Sequence, residues 1–219
     1  MNPKIGCRAG HDGKRGLVVG SQRIGVFGGT FDPVHIGHLV VVSELKHALA
    51  LDHVLIVPAG DPPHKPDQPL TVATHRVRML EIAIDNRDGF SVDRTDLDRV
   101  GPSYTKDTLA LVQARYYADQ LVFLMGEDSL ADLHTWREPE RVLELAEIGV
   151  GCRPDVALDL EAVFQQMPSA RGRVTLVDVP LIQVSSRDLR LRVANGDPIA
   201  FQVLPGVERY IAEHGIYSS

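Results

Sequence analysis

"IGVFGGTFDPVHIGHLVVVSELKHALA", Ile24 to Ala50, runs from an apolar strand pattern through two glycines, a threonine, an Asp-Pro pair and two histidines into an amphipathic helix pattern. Strand, glycine turn and helix in this order usually surround bound phosphate. Missing Cβ atoms let backbone N–H groups approach an anion, and the helix N-terminus adds its dipole. Yet the string is neither GxGxxG nor GxxxxGK[ST]. Asp32 followed by Pro33 suits an N-cap and a first helical position, which predicts a helix over 33–50. His35 then falls in the first turn and His38 one turn on, i,i+3 on one face, with Gly37 between them leaving that face open. Gly28, Gly29 and Thr30 become candidate phosphate contacts, and the two imidazoles become candidate groups for chemistry on a phosphate.

Outward from this stretch, short apolar runs of the kind buried in parallel sheets recur at 23–28, 53–58, 90–93, 120–126, 147–153 and 173–178. Helical patterns lie between and after them at about 72–87, 104–118, 138–146, 186–195 and 205–214. Asn195-Gly196 suits a helix stop, and Asp197-Pro198 prevents its continuation. This alternation predicts an α/β fold: a doubly wound, mostly parallel sheet with helices on both faces. Ligands of such sheets bind beyond the carboxyl ends of the strands, at the switch point, where the glycine turn falls. Residues 1–22, glycine-rich and basic, read as a poorly ordered extension. Residues 23–219 read as a single domain, with 185–217 a C-terminal helical part.

The composition narrows the function classes. A formal net charge of -6 argues against a general nucleic-acid binder, which would show a basic face. It leaves room for a small phosphorylated ligand held by a local cluster of His, Lys and Arg. The two cysteines, Cys7 and Cys152, form no CxxC pair, so neither a zinc site nor a disulfide framework is suggested and a reducing cytoplasm is expected. No apolar run approaches the ~20 residues that span a bilayer, and no signal-peptide core opens the chain. The acid-base runs "TDLDR" and "LDRVGPSY" look like solvated surface, so Asp93, Asp96 and Asp98 are given no role.

"GGTFDPVHIGH" (Gly28–His38) resembles the signature of the nucleotidyltransferases that carry a T/HxGH motif. The second half of that signature, an [I/V]SS(T)xxR string opening a late helix, is matched by "VSSRDLR" (Val184–Arg190), with Arg187 where the family usually has Thr. Further segments resemble the nicotinate-nucleotide adenylyltransferase family: "PPHK" (62–65), "SVDRTDLDRVGPSYTKDTL" (91–109), "MGEDSLADLHTW" (125–136) and "VERYIAEHGIY" (207–217). The resemblance covers about residues 23–217 and implies a Rossmann-like nucleotidyltransferase fold. It also implies adenylyl transfer from ATP to nicotinate mononucleotide, giving deamido-NAD and pyrophosphate. By the same resemblance His35, His38 and Arg190 are catalytic, and Gly28, Gly29, Thr30, Gly126, Asp128, Ser185 and Ser186 hold ATP. Lys65, Tyr104, Thr105 and Trp136 border nicotinate mononucleotide, Lys65 having a solvated loop lysine as its alternative reading. Mg²⁺ is expected to escort the triphosphate without a dedicated set of protein ligands. Small-molecule substrates are the expected partners, with no nucleic acid and no membrane, and homo-oligomerisation is left open. Pantetheine-phosphate adenylyltransferase, a cytidylyltransferase and a nucleotide-binding regulatory module without turnover are the rival readings; the paired histidines disfavour the last.

Overall fold

Each apolar run is a strand. In the computed structural model, which describes residues 22–62, 70–85, 87–116, 120–152 and 159–218, the strands are β1 (Arg23–Gly29), β2 (His53–Pro58), β3 (Phe90–Val92), β4 (Gln120–Gly126), β5 (Glu147–Cys152) and β6 (Val174–Asp178). All pair in parallel in the order β3-β2-β1-β4-β5-β6. The expected helices are present as α1 (Ile36–Ala48), α2 (Ala73–Ala83), α3 (Thr105–Arg115), α5 (Pro139–Leu145), α7 (Ser186–Ala194) and α8 (Pro205–Glu213). Two helices were not anticipated, α4 (Glu127–Ala131) and α6 (Leu160–Gln166), with 5 and 7 residues. Neither is long enough to display two turns of amphipathic period.

Alternation of side chains along the central strands builds two cores, one on each face. Ile24, Val26, Leu55, Val57, Leu121 and Phe123 pack with Leu109 and Val112 of α3, Leu130 of α4, Val142 and Leu143 of α5 and Val163 of α6. Phe27, Val54, Ile56, Val122 and Leu124 face the other way and pack with Val42 and Leu45 of α1, Met79 and Leu80 of α2, Leu189 of α7 and Val207 and Ile211 of α8. The chain leaves β1 toward β2 and β3, then returns across the sheet to β4. A crevice therefore opens between the carboxyl ends of β1 and β4, the ligand position of doubly wound sheets.

Two expectations are corrected. Asp93 and Asp96 are not solvated: each is only 6% exposed. The Asp93 carboxylate accepts from the Thr95 N–H and hydroxyl and pairs with Arg115. Asp96 Oδ1 accepts from the Thr108 hydroxyl at 2.6 Å and from Arg99 Nε at 3.1 Å. These bonds close the loop that leads into α3, and Ser103 Oγ stitches it to β2 by accepting from the Gly60 and Asp61 N–H groups. Gly60 is required there, since a Cβ would stand 2.4 Å from the Asp96 carbonyl oxygen. Asp98, by contrast, is exposed. Residues 1–21, with Cys7, and Lys65 lie outside the described residues. Among those described, no helix is long and apolar enough to cross a membrane.

Candidate active site

β1 delivers Gly28 and Gly29 to the crevice, where the backbone turns sharply. Phe31 adopts a left-handed φ of 49° and buries its ring against Phe27 at a centroid distance of 5.6 Å. The Asp32–Pro33 peptide is cis, and α1 begins at Ile36 with His35 as its N-cap. The expected helix start at Pro33, capped by Asp32, is therefore wrong. Asp32 turns inward instead. Its Oδ2 accepts the Thr71 N–H at 3.0 Å and its Oδ1 the Tyr217 hydroxyl at 2.6 Å. Local capping chemistry lost to partners that only tertiary folding supplies.

Starting α1 at Ile36 brings the histidines into direct contact. Their rings stack with centroids 3.7 Å apart and an interplanar angle of 27°. The His35 N–H donates to His38 Nδ1 at 3.3 Å, so the neutral His38 ring carries its proton on Nε2. His35 is only 6% exposed, and its Nδ1 has no hydrogen-bond partner among the described residues. Burial pushes the His35 imidazole down to about 4. Burial therefore favours the uncharged form of the His35 imidazole. Gly37 keeps the His35 ring uncrowded, since a Cβ there would lie 3.0 Å from His35 Nδ1.

The neutral burial of His35 has a consequence for stability. Between pH 6.5 and 4 the unfolded chain binds a proton at His35 that the folded chain refuses, so stability falls as pH falls through this window. The full effect is on the order of 3 kcal/mol, from about 1.4 kcal/mol per unit of displacement. Urea titrations at pH 7 and pH 4.5 should show this loss in the wild type and a smaller one in His35→Gln. Equal losses in both would place the effect in other groups.

The second half of the site is α7. Ser185 is the N-cap of α7 and accepts the Asp188 N–H at 3.1 Å. The Ser186 hydroxyl instead donates to the Pro33 carbonyl at 2.8 Å, and Arg190 Nη1 donates to the Asp32 carbonyl at 2.7 Å. Both side chains thus hold α7 against the turn that carries the histidines. Arg187 is exposed.

A cleft of about 250 Å³ lies between these elements. His35 and His38 line one side of it, Gly126, Glu127 and Asp128 at the head of α4 another, and Val179 to Val184 after β6 a third. Gly126 presents open backbone, since a Cβ there meets nothing within 4 Å. Of the candidate residues, His35, His38, Gly126 and Asp128 share this lining. Gly28, Gly29, Thr30, Ser185, Ser186 and Arg190 do not line it, although their neighbours Phe27 and Val184 do, and Ser186 and Arg190 bond to the Pro33 and Asp32 carbonyls. Tyr104, Thr105 and Trp136 do not line the cleft. Tyr104 caps α3, Thr105 opens it, and half-buried Trp136 packs edge-on to Phe123 at 6.0 Å. Phe123 in turn lies against Gly28, where a Cβ would be 3.7 Å away, so Trp136 connects to the glycine turn through one aromatic ring. The reading from residues alone missed Asp32, Arg76, Glu127 and Tyr217. Arg76, 2% exposed, donates to the carbonyls of Thr30 and Thr71 at 2.9 Å each.

The cleft opens at the carboxyl ends of the strands, with two imidazoles stacked at a helix N-terminus on its wall. Residues 26–192 match the cytidylyltransferase-like family. A protein of Thermomicrobium roseum named "Probable nicotinate-nucleotide adenylyltransferase" is 52% identical over 196 residues, 90% of this chain and 92% of that one. The chain belongs to the nicotinate-nucleotide adenylyltransferase family. A relative of the same name from Roseiflexus sp. is 44% identical, covering 90% of this chain and 98% of that one. The fold is shared with Plasmodium falciparum nicotinic acid mononucleotide adenylyltransferase complexed with NaAD, at a TM-score of 0.73 and 20% identity over 90% of this chain and 97% of that one.

Proposed function

We propose that this enzyme transfers the adenylyl group of ATP to nicotinate mononucleotide, giving deamido-NAD and pyrophosphate in NAD biosynthesis. The observation that carries the reading is the stacked His35–His38 pair at the N-terminus of α1, in a chain 52% identical to a relative named for this activity. The nucleophile is the phosphate of nicotinate mononucleotide, attacking the α-phosphorus of ATP in line. A phosphate monoester has its second pKa near ~6, is largely a dianion at neutral pH and needs no general base. What the protein supplies is position and electrostatic stabilisation, as in other phosphoryl transfers. No side-chain nucleophile is required, so no covalent intermediate forms.

In this mechanism the histidines work as preorganised hydrogen-bond donors, since His35 is neutral and His38 presents its proton on Nε2. Gly28, Gly29 and Thr30 lie toward the phosphates with the positive N-terminal ends of α1 and α7, Ser185 orders the start of α7, and Gly126 and Asp128 border the nucleoside. Arg190 adds positive charge behind the turn. Among the described residues no group of three or more His, Cys, Asp or Glu is placed to hold a metal. The carboxylates of Glu127 and Asp128 in the cleft wall fit Mg²⁺ that arrives on the triphosphate and keeps most of its waters. Such Mg²⁺ would neutralise part of the triphosphate charge. On the acceptor side, Tyr104, Thr105 and Trp136 border the nicotinate ring, and the first N–H groups of α3 suit its carboxylate better than an amide.

Pyrophosphate release with ATP and Mg²⁺ tests the reading, with nicotinate mononucleotide, nicotinamide mononucleotide and phosphopantetheine offered in parallel. Rapid release with the first substrate is expected, at a kcat/KM well above that for the amide. Equal kcat/KM for the two mononucleotides would refute the acid preference. Release with phosphopantetheine alone would keep the chemistry and overturn the substrate.

A further inference from the structure

The turn that presents the histidines is held from behind by residues far away in the chain, and its anchor is Asp32. This carboxylate is 1% exposed, and its two oxygens accept from Tyr217 at 2.6 Å and from the Thr71 N–H at 3.0 Å. α7 reaches the same turn through backbone carbonyls only, Arg190 at Asp32 and Ser186 at Pro33. Tyr217 comes to Asp32 from beyond α8. It is fixed there by a segment whose Ile216 is buried and whose Ile216 N–H returns to the Ile211 carbonyl at 3.0 Å. Tyr217 itself has a φ of 67°, a left-handed conformation that a bulky residue adopts only when its surroundings impose it. Burial, together with the bond to Asp32, pushes the Tyr217 hydroxyl far above its usual value, so it remains a proton donor. From Asp32 to His35 the chain has two intervening residues, Pro33 and Val34, both buried. A displaced Asp32 therefore has no slack in which to lose its motion before it reaches the His35 ring.

We propose that Tyr217 is a positioning residue: through Asp32 its hydroxyl fixes the turn that sets His35 and His38 opposite the N-terminus of α7. Its catalytic readout rests on the adenylyl-transfer reading, and its structural readout does not. The structure also provides an internal control. Tyr210 of α8 also makes a hydroxyl bond, to His75 Nδ1 at 2.9 Å rather than to Asp32.

The test compares full-length Tyr217→Phe, Tyr210→Phe and wild type by three measurements at a temperature well below melting. These are kcat per folded molecule, KM for ATP, and the imidazole ¹H–¹⁵N resonances of His35 and His38. Tyr217→Phe is expected to lower kcat about tenfold, the scale of a sub-ångström displacement of reacting groups, and to shift both histidine spectra. Tyr210→Phe is expected to lower thermal stability alone. Wild-type kcat and unshifted rings in a folded Tyr217→Phe protein would reduce the hydroxyl to a structural role and overturn the proposal. Should that variant fail to fold, isosteric Asp32→Asn replaces it, because one of the two donors then loses its acceptor. The same loss of kcat and the same spectral shifts are expected, and unchanged values would again overturn the proposal. If wild type itself turns over none of the offered substrates, the functional reading fails, while the ring spectra still decide the positioning role.

Discussion

Replacing His38 by alanine is expected to lower kcat by about 10²–10³-fold, the usual cost of removing one preorganised donor from a developing oxyanion, with little change in ATP affinity. The prediction separates chemistry from folding. His38 occupies the third position of α1, where alanine is the best helix former, so the helix should survive. Removed with the ring are its stack on His35, its edge contact with Phe31 at 5.1 Å and the Nδ1 that accepts the His35 N–H. The pH profile adds a second test. A pair acting through imidazolium charge would lose activity as pH rises through about 6.5. A pair acting through neutral donors would hold kcat level from neutral pH upward, and buried His35 with an unpartnered Nδ1 is of that kind. Unchanged kcat in His38→Ala would remove the histidines from the mechanism. A decline above pH 6.5 would restore them as cations.

How far the sequence could be read depends on where each interaction closes. All six strands end within one residue of expectation, because a strand buried on both faces appears in the sequence as an unbroken apolar run. The glycine turn and its histidines were legible for a similar reason: residue type and spacing within eleven residues carry the signal. Asp32 was misread because the evidence for its role lies 39 and 185 residues away, at Thr71 and Tyr217. In the sequence an Asp-Pro pair before a helical pattern looks like a cap. Once folded, the carboxylate is the turn's anchor and His35 becomes the cap. Asp93 and Asp96 failed in the same way. Their partners Arg115 and Thr108 lie on the helix that follows, so a run of mixed charge looked like solvent-facing surface. The tight stacking of His35 on His38 was also beyond the sequence, since the i,i+3 spacing gives a shared face but not the ring contact created by starting the helix three residues late.

That late start gives Gly37 a task that the sequence only hinted at, and Gly37→Ala isolates it. Gly37 lies inside α1 without a left-handed φ, so alanine should favour the helix by roughly 0.5–1 kcal/mol relative to glycine. Its Cβ, however, would stand 3.0 Å from His35 Nδ1 and 3.1 Å from Cε1, closer than ordinary packing allows. The His35 ring must shift by a few tenths of an ångström to relieve this contact, with the Ile182 carbonyl in ordinary contact at 3.7 Å. The expected outcome is an unchanged or raised Tm together with a kcat lower by about 10–10²-fold, as for other small misplacements of catalytic groups. A thermal melt and a turnover assay on the same preparation suffice to measure both. Loss of stability in step with activity would mean that the collision is relieved by deforming α1. Retained activity would mean that the position of the His35 ring is not what the reaction depends on. The predicted divergence, a protein at least as stable but much slower, arises only if this glycine is kept for the histidine beside it.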